Sequence, residues 1–323
     1  MSLILVILLL FFSYILIKAA DLTVIALKKI SEKTHTRSFV VSVILLAIGT
    51  SFPEFFVGVT SALEGTPELS FGNVLGANIA NISLIVGVSA LAGGRVIIRG
   101  TFLTRDVWIA LVSGLAPILF ILDGVISRPD GVVLIVIYIA YATSFFHARF
   151  IEIGHAHEPD KLVYRFLRQI NHTGRGNAKN FIRLAVGVLA LLVSADVIVR
   201  IASSLAETAG IPIFVIGLVV LSLGTSLPEL VFSLKSVKNR EIGMFLGNVL
   251  GSVIANSTLV VGFASLIHPI RVEAAGRYFV AGSTFVTVAL LFWFFGRTKH
   301  RIDWWEALLM LAIYVAFVIF QFT

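Results

Sequence analysis

At 323 residues, 58% hydrophobic and 13% charged, the chain is far more apolar than a soluble domain, where about 45–50% and 25% are usual. Cysteine is absent, which excludes disulfides, thiol nucleophiles and thiolate metal sites. The formal charge of +7 does not call for nucleic acid, because basic residues on cytoplasmic loops give the same excess.

Apolar runs long enough to cross a bilayer recur from end to end, at about 2–27, 38–63, 69–92, 103–122, 131–150, 181–206, 213–237, 242–267, 277–296 and 304–322. They predict an all-α polytopic membrane protein of ten transmembrane helices. The alternating ten-residue pattern of a β-barrel is missing. The first 17 residues lack a basic n-region and run on without an A-x-A site, so they read as a retained span rather than a signal peptide.

Basic residues gather on alternate loops. Lys28, Lys29, Lys33 and Arg37 follow the first span, and Arg95, Arg99 and Arg105 the third. Arg149, Lys161, Arg165, Arg168, Arg175, Lys179 and Arg183 surround the long 151–180 stretch. Lys235, Lys238 and Arg240 follow the seventh span, and Arg297, Lys299 and Arg301 the ninth. The positive-inside rule puts these loops in the cytoplasm and both termini outside, for a multi-pass protein of the plasma membrane. The 151–180 stretch reads as a linker between residues 1–150 and 181–323. Leu162, Val163, Phe166, Leu167 and Ile170 there fit one face of a helix lying on anionic lipid, and equally a solvated connector.

The most informative stretch is Gly49-Thr50-Ser51-Phe52-Pro53-Glu54. A glutamate inside an apolar run costs about 2.5–3.5 kcal/mol at mid-bilayer on the insertion scale. Pro53 has no N–H for the carbonyl four residues back and bends the helix. Free backbone oxygens then stand beside a carboxylate and two hydroxyls, a donor set that suits a hard cation. The chain repeats it as Gly224-Thr225-Ser226-Leu227-Pro228-Glu229.

Residues 39–92 align with 214–267 without a gap, and roughly two in five are identical, a strong internal repeat. Positions 54 and 229, 76 and 251, and 81 and 256 each differ by 175, as do Asp21 and Asp196. Five spans per half is an odd number, so the second half is inverted, the plan of secondary transporters with interrupted helices and a midplane site. A second motif follows in each half, Gly72-Asn73-Val74-Leu75-Gly76 through Asn81, and Gly247-Asn248-Val249-Leu250-Gly251 through Asn256. Its glycine pairs allow close helix approach, and Asn81 and Asn256 can offer amide oxygens to the same centre.

These paired motifs resemble the alpha repeats of the sodium/calcium exchanger family, within the wider cation/calcium antiporters, in the prokaryotic form without a large regulatory domain. The resemblance covers nearly the whole chain. It implies exchange of Ca2+ for Na+ by alternating access, with no enzymatic activity and no cofactor beyond the transported ions. It makes Glu54 and Glu229 the central ligands. Ala47, Thr50, Ser222 and Thr225 would lend backbone carbonyls, Ser51, Ser226 and Ser252 hydroxyls, and Asn81 and Asn256 would complete a central diamond. Asn256 stands where the family often has Asp, and Ala77 where many members have Ser. That leaves two formal charges and one hydroxyl fewer, so two or three Na+ per Ca2+ both stay open. The proton/calcium branch carries a glutamate in the second motif that this chain lacks.

Other readings compete at single residues. Glu54 and Glu229 could be structural acids paired with Lys18 or Arg200. Asn81 and Asn256 could be interhelical glue. The serine hydroxyls could satisfy carbonyls freed by the prolines. Asn73 and Asn248 read as caps or braces at the start of their helices, Asn78 faces Val253 in the repeat, and Asp21 and Asp196 suit pairing with nearby bases. His155 and His157 lack a third ligand and read as solvated loop. Proton coupling at Glu54 and Glu229 is the nearest functional rival, an intramembrane hydrolase or a channel the more distant ones. No histidine lies near Ser51 or Ser226, and no H-E-x-x-H or Walker motif is present. The expected partners are the ions and the lipid bilayer, with no nucleic acid and no protein partner evident.

Overall fold

The computed structural model describes residues 2–33, 51–93, 96–97, 101–153, 178–272, 275–298 and 300–322. The helices are α1 (Ser2–Lys33), α2 (Phe52–Leu63), α3 (Pro67–Gly93), α4 (Thr101–Phe120), α5 (Arg128–Ile153), α6 (Ala178–Ala209), α7 (Ile213–Thr225), α8 (Leu227–Lys238), α9 (Ile242–Ile267), α10 (Ala275–Thr298) and α11 (Trp304–Phe322). Among the described residues, seven helices are long and apolar enough to cross a membrane, and the bent pair α7–α8 makes an eighth. The protein is an all-α membrane protein. The 39–50 half of the second expected span, the basic loop residues 34–37 and most of the 151–180 linker, including His155 and His157, lie outside the described residues.

Two short strand pairs interrupt the helical plan. Val96–Ile97 (β1) pairs antiparallel with Arg301–Ile302 (β4), and Val125–Ile126 (β2) with Ile270–Arg271 (β3). Each pair joins one half of the sequence to the other. Two residues are too few for an alternating pattern, so the sequence carried no strand signal.

Two cores organise the bundle. The larger one is built around the fully buried Phe71, Phe214, Phe245, Phe285 and Phe292. In it α3 lies against α7 almost backbone to backbone. A Cβ on Gly72 would overlap the Phe214 carbonyl oxygen, and one on Gly76 the Leu218 carbonyl oxygen. The close approach expected of this glycine pair is therefore present. For Gly247 no described atom comes within 4 Å of such a Cβ, so the matching approach is not seen there.

The smaller core is formed mainly by α1 and α6, through Leu9, Leu16, Leu191, Ala195, Ile198 and Ala202. Both helices run 32 residues. At 1.5 Å per residue that is about 48 Å, longer than the ~30 Å hydrocarbon layer, so the pair must tilt or protrude. Their outer faces expose Ile7, Phe11, Tyr14, Ile182, Val186 and Val193.

The charges on this pair are used locally. Arg200 of α6 donates from Nε to Asp196 at 3.0 Å and from Nη2 to Asp196 at 3.1 Å and Glu64 at 3.4 Å. Lys18 stands 3.9 Å from Asp21 on α1. Asp21 and Asp196 are thus paired with nearby bases, as expected, and neither base is spent on Glu54 or Glu229. Arg200 is 65% exposed, and exposed pairs of this kind contribute little. Arg200→Gln should leave the melting temperature of the detergent-solubilised protein within a few degrees of the parent. A large drop would show that the α6–α2 contact depends on this pair.

Candidate functional site

The two bends face each other in composition and geometry. Ser51 precedes α2 with φ −88° and ψ 6°, and Ser226 precedes α8 with φ −85° and ψ 3°. Both residues leave the helical region just before a proline in the first turn, so α7 and α8 meet at 42°. The ladder is bridged around the breaks by Phe55 N–H to Ser51 O at 3.0 Å and Leu230 N–H to Ser226 O at 3.1 Å. Glu54 and Glu229 sit in the first turns of α2 and α8, where the helix N-terminus favours negative charge.

A second matched feature was not expected from sequence. α3 and α9 each widen into a π turn, at Asn81–Ile85 and at Asn256–Val260. The two turns begin at the two asparagines of the second motif. A π turn breaks the regular i→i−4 ladder and is found disproportionately at functional positions. Its only trace in the sequence is the asparagine itself, because a helix buried on most sides has no single apolar stripe for an inserted residue to shift.

Glu54, Glu229, Asn81, Asn256, Ser222, Thr225 and Ser252 are fully buried, and Ser51 and Ser226 nearly so. Among the described residues, none of the four carboxylate oxygens of Glu54 and Glu229 has a hydrogen-bond partner. The same holds for both side-chain polar atoms of Asn81 and Asn256 and for the hydroxyls of Ser51 and Ser226. Leaving a buried polar group unsatisfied costs about 1–3 kcal/mol, more for charge. Such a concentration is unusual, since buried polar groups are normally hydrogen-bonded. Among the described residues, Asn81 and Asn256 make no interhelical side-chain hydrogen bond, and the Ser51 and Ser226 hydroxyls bond no freed carbonyl.

The acids are close enough that Glu54 acts on Glu229 as a neighbouring like charge. The Thr225 hydroxyl is next to Glu54 and that of Ser252 next to Glu229. Neither approach closes a regular hydrogen bond to the carboxylate. Ser222 is hydrogen-bonded within its own helix. Its hydroxyl donates to Leu218 O at 2.6 Å, and its carbonyl already accepts from Ser226 N–H at 3.0 Å and lies 3.4 Å from Thr225 Oγ1. Ala47 and Thr50 lie outside the described residues.

Asn73 and Asn248 do not cap their helices. The caps are Thr66 and Glu241, and both asparagines lie inside their helices, one and a half to two turns beyond. Asn73 Oδ1 instead accepts from Thr225 Oγ1 at 3.2 Å, and Asn248 Nδ2 lies 3.5 Å from Ser233 Oγ. Asn78, which the repeat pattern set aside, donates from Nδ2 to Ser257 Oγ at 2.6 Å. Among the described residues no three His, Asp or Glu side chains converge on one point. The donor set is two carboxylates plus neutral oxygens, which suits a hard cation bound and released rather than one held permanently.

Residues 4–147 and 179–323 match the family described as sodium/calcium exchanger protein. The chain belongs to the sodium/calcium exchanger family. This exchanger-family protein is 30% identical to the sodium/calcium exchanger MaX1 of Methanosarcina acetivorans, over 95% of each chain. It is 28% identical to the inner membrane protein YrbG of Escherichia coli, over 86% of each. A solved structure of the sodium-calcium exchanger NCX_Mj, soaked with 100 mM Na+ and 10 mM Sr2+, is similar with a TM-score of 0.62, 29% identity and 98% of both chains covered. The prokaryotic exchanger reading made from the paired motifs therefore stands, and membership makes the protein a membrane antiporter of calcium and sodium.

Proposed function

We propose that this exchanger moves Ca2+ against Na+ by alternating access at a midplane site shared by two inverted five-helix halves, residues 1–150 and 181–323. One observation carries the reading. The buried, unpartnered carboxylate, amide and hydroxyl groups come in matched sets, Glu54, Asn81 and Ser51 from one half and Glu229, Asn256 and Ser226 from the other. The reciprocal strand pairing supports the inversion, since β1 and β3 lie at matching places in the repeat, as do β2 and β4, and each pairs across halves. On this plan the chain has ten spans, a cytoplasmic 151–180 linker and both termini outside the plasma membrane.

The metal ligands are Glu54, Glu229, Asn81, Asn256, Ser51, Ser226 and Ser252, with Ala47, Thr50, Ser222 and Thr225 lending carbonyls. Ser222 O keeps a lone pair beside the bond it accepts from Ser226 N–H. Two carboxylates carry −2, so one Ca2+ or two Na+ neutralise them and the ions compete. An occluded site without ions would hold two like charges in low dielectric, about several kcal/mol uphill. The empty carrier then stays on its side, and transport is obligate exchange. The α1–α6 pair, with its own core and lipid-facing outer surface, is the element that moves past the rest.

Purified protein in proteoliposomes tests this. An outward Na+ gradient should drive uptake of radiolabelled Ca2+, and dissipating that gradient should stop it. Uptake driven only by a pH gradient in Na+-free medium would replace Na+ with protons as the coupling ion. Flux that ignores both gradients would mean a channel.

A further inference from the structure

We propose that Asn73 is a positioning residue for the cation site, acting through the Thr225 hydroxyl. The inference rests on the site reading above and adds a residue to it. Asn73 is fully buried in α3, and its Oδ1 accepts the Thr225 hydroxyl at 3.2 Å across the two halves. The same hydroxyl is the side-chain neighbour of Glu54. A hydroxyl has one proton and two lone pairs. With the proton committed to Asn73, its lone pairs are turned toward Glu54, where a cation wants oxygen. The Glu54 carboxylate oxygens meanwhile accept no hydrogen bond and stay available to the ion.

Removing the Asn73 amide frees the proton. Its remaining acceptors are the Ser222 carbonyl, 3.4 Å away, and the Glu54 carboxylate. A charged acceptor makes the stronger bond, so the hydroxyl turns to Glu54 and competes with the cation. Among the described residues Asn248, the match of Asn73, approaches Ser233 of its own half, and the residue matching Ser233 in the first half is Gly58, which has no hydroxyl to offer. Thr50, the match of Thr225, lies outside the described residues.

The test is Na+-driven Ca2+ uptake by full-length protein in proteoliposomes, read as maximal rate and half-saturating Ca2+. Asn73→Ala should raise half-saturating Ca2+ about tenfold, the usual worth of one hydrogen bond to a charged group, with the maximal rate near the parent's. Thr225→Val should match Asn73→Ala, Thr225→Ser should restore parental values, and the Asn73→Ala/Thr225→Val double variant should be no worse than Thr225→Val alone. Effects that multiply in the double variant would overturn the proposal. If Asn73→Ala does not fold, the contrast between Thr225→Val and Thr225→Ser carries the test, and its absence overturns the proposal as well. Glu54→Gln separates the two levels. If it abolishes uptake while Asn73→Ala changes nothing, only the Asn73 role falls; if neither matters, the site itself is misassigned.

Discussion

Glu54→Gln and Glu229→Gln should each abolish Na+-driven Ca2+ uptake while leaving a protein that folds. Each acid is fully buried, and among the described residues none of its oxygens accepts a hydrogen bond, so on the proposed function its charge is left for the ion. Removing one partner of a buried charge interaction costs about 3–5 kcal/mol, roughly two to four orders of magnitude in affinity. Stability should move the other way. With Glu54 acting on Glu229 as a like charge, neutralising either one relieves repulsion in the ion-free protein. The ion-free variant should therefore melt at or above the parent's temperature in detergent. The parent should gain stability on adding Ca2+ and the variants should not, because a ligand stabilises only the state that binds it. A glutamine variant that melts far below the parent would show the acids to be structural.

Gly76→Ala should be the most damaging conservative change in the fold. Its Cβ would occupy the place of the Leu218 carbonyl oxygen, and a backbone atom cannot rotate away as a side-chain tip can. The helices must separate, at about 1–3 kcal/mol or more for overpacking of this kind. The separation reaches the site. α3 carries Asn81 one turn beyond Gly76, and α7 leads directly into the bend before Glu229. Lower melting temperature and weakened Ca2+ binding are expected together. Gly282→Ala is the control, because its Cβ would meet only Ile118 Cγ2 at 3.5 Å, an ordinary contact. Equal tolerance of both changes would mean that α3 and α7 are not held at backbone contact.

Much of this was legible in the sequence for definite physical reasons. A buried acid beside a proline is expensive, so Glu54 and Glu229 announce themselves. Duplication at one offset says that their neighbours belong with them, and Asn81, Asn256, Ser51 and Ser226 are buried and unpartnered as that reading requires. The missed features leave no periodic trace. β1 to β4 are two residues each, and the π turns insert a residue into helices that are buried on most sides and so keep no single apolar stripe for it to shift. Asn73 reads from sequence as a cap or brace at the start of its helix, but Thr66 is the cap and Asn73 reaches across to Thr225. A hydrogen bond between residues 152 apart has no spacing rule to betray it. Ser222, whose carbonyl the resemblance nominates as a ligand, already accepts there from Ser226 N–H at 3.0 Å, a bond made by the local bend that the motif does not show.

Equilibrium binding of radiolabelled Ca2+ to the purified protein, titrated with Na+, puts the shared cage to the sharpest test. One Ca2+ per chain should bind, Na+ should displace it with a steepness of at least two ions, and the binding should vanish in both Glu54→Gln and Glu229→Gln. Two independent Ca2+ ions, each lost with only one of the glutamates, would mean that the halves hold separate sites.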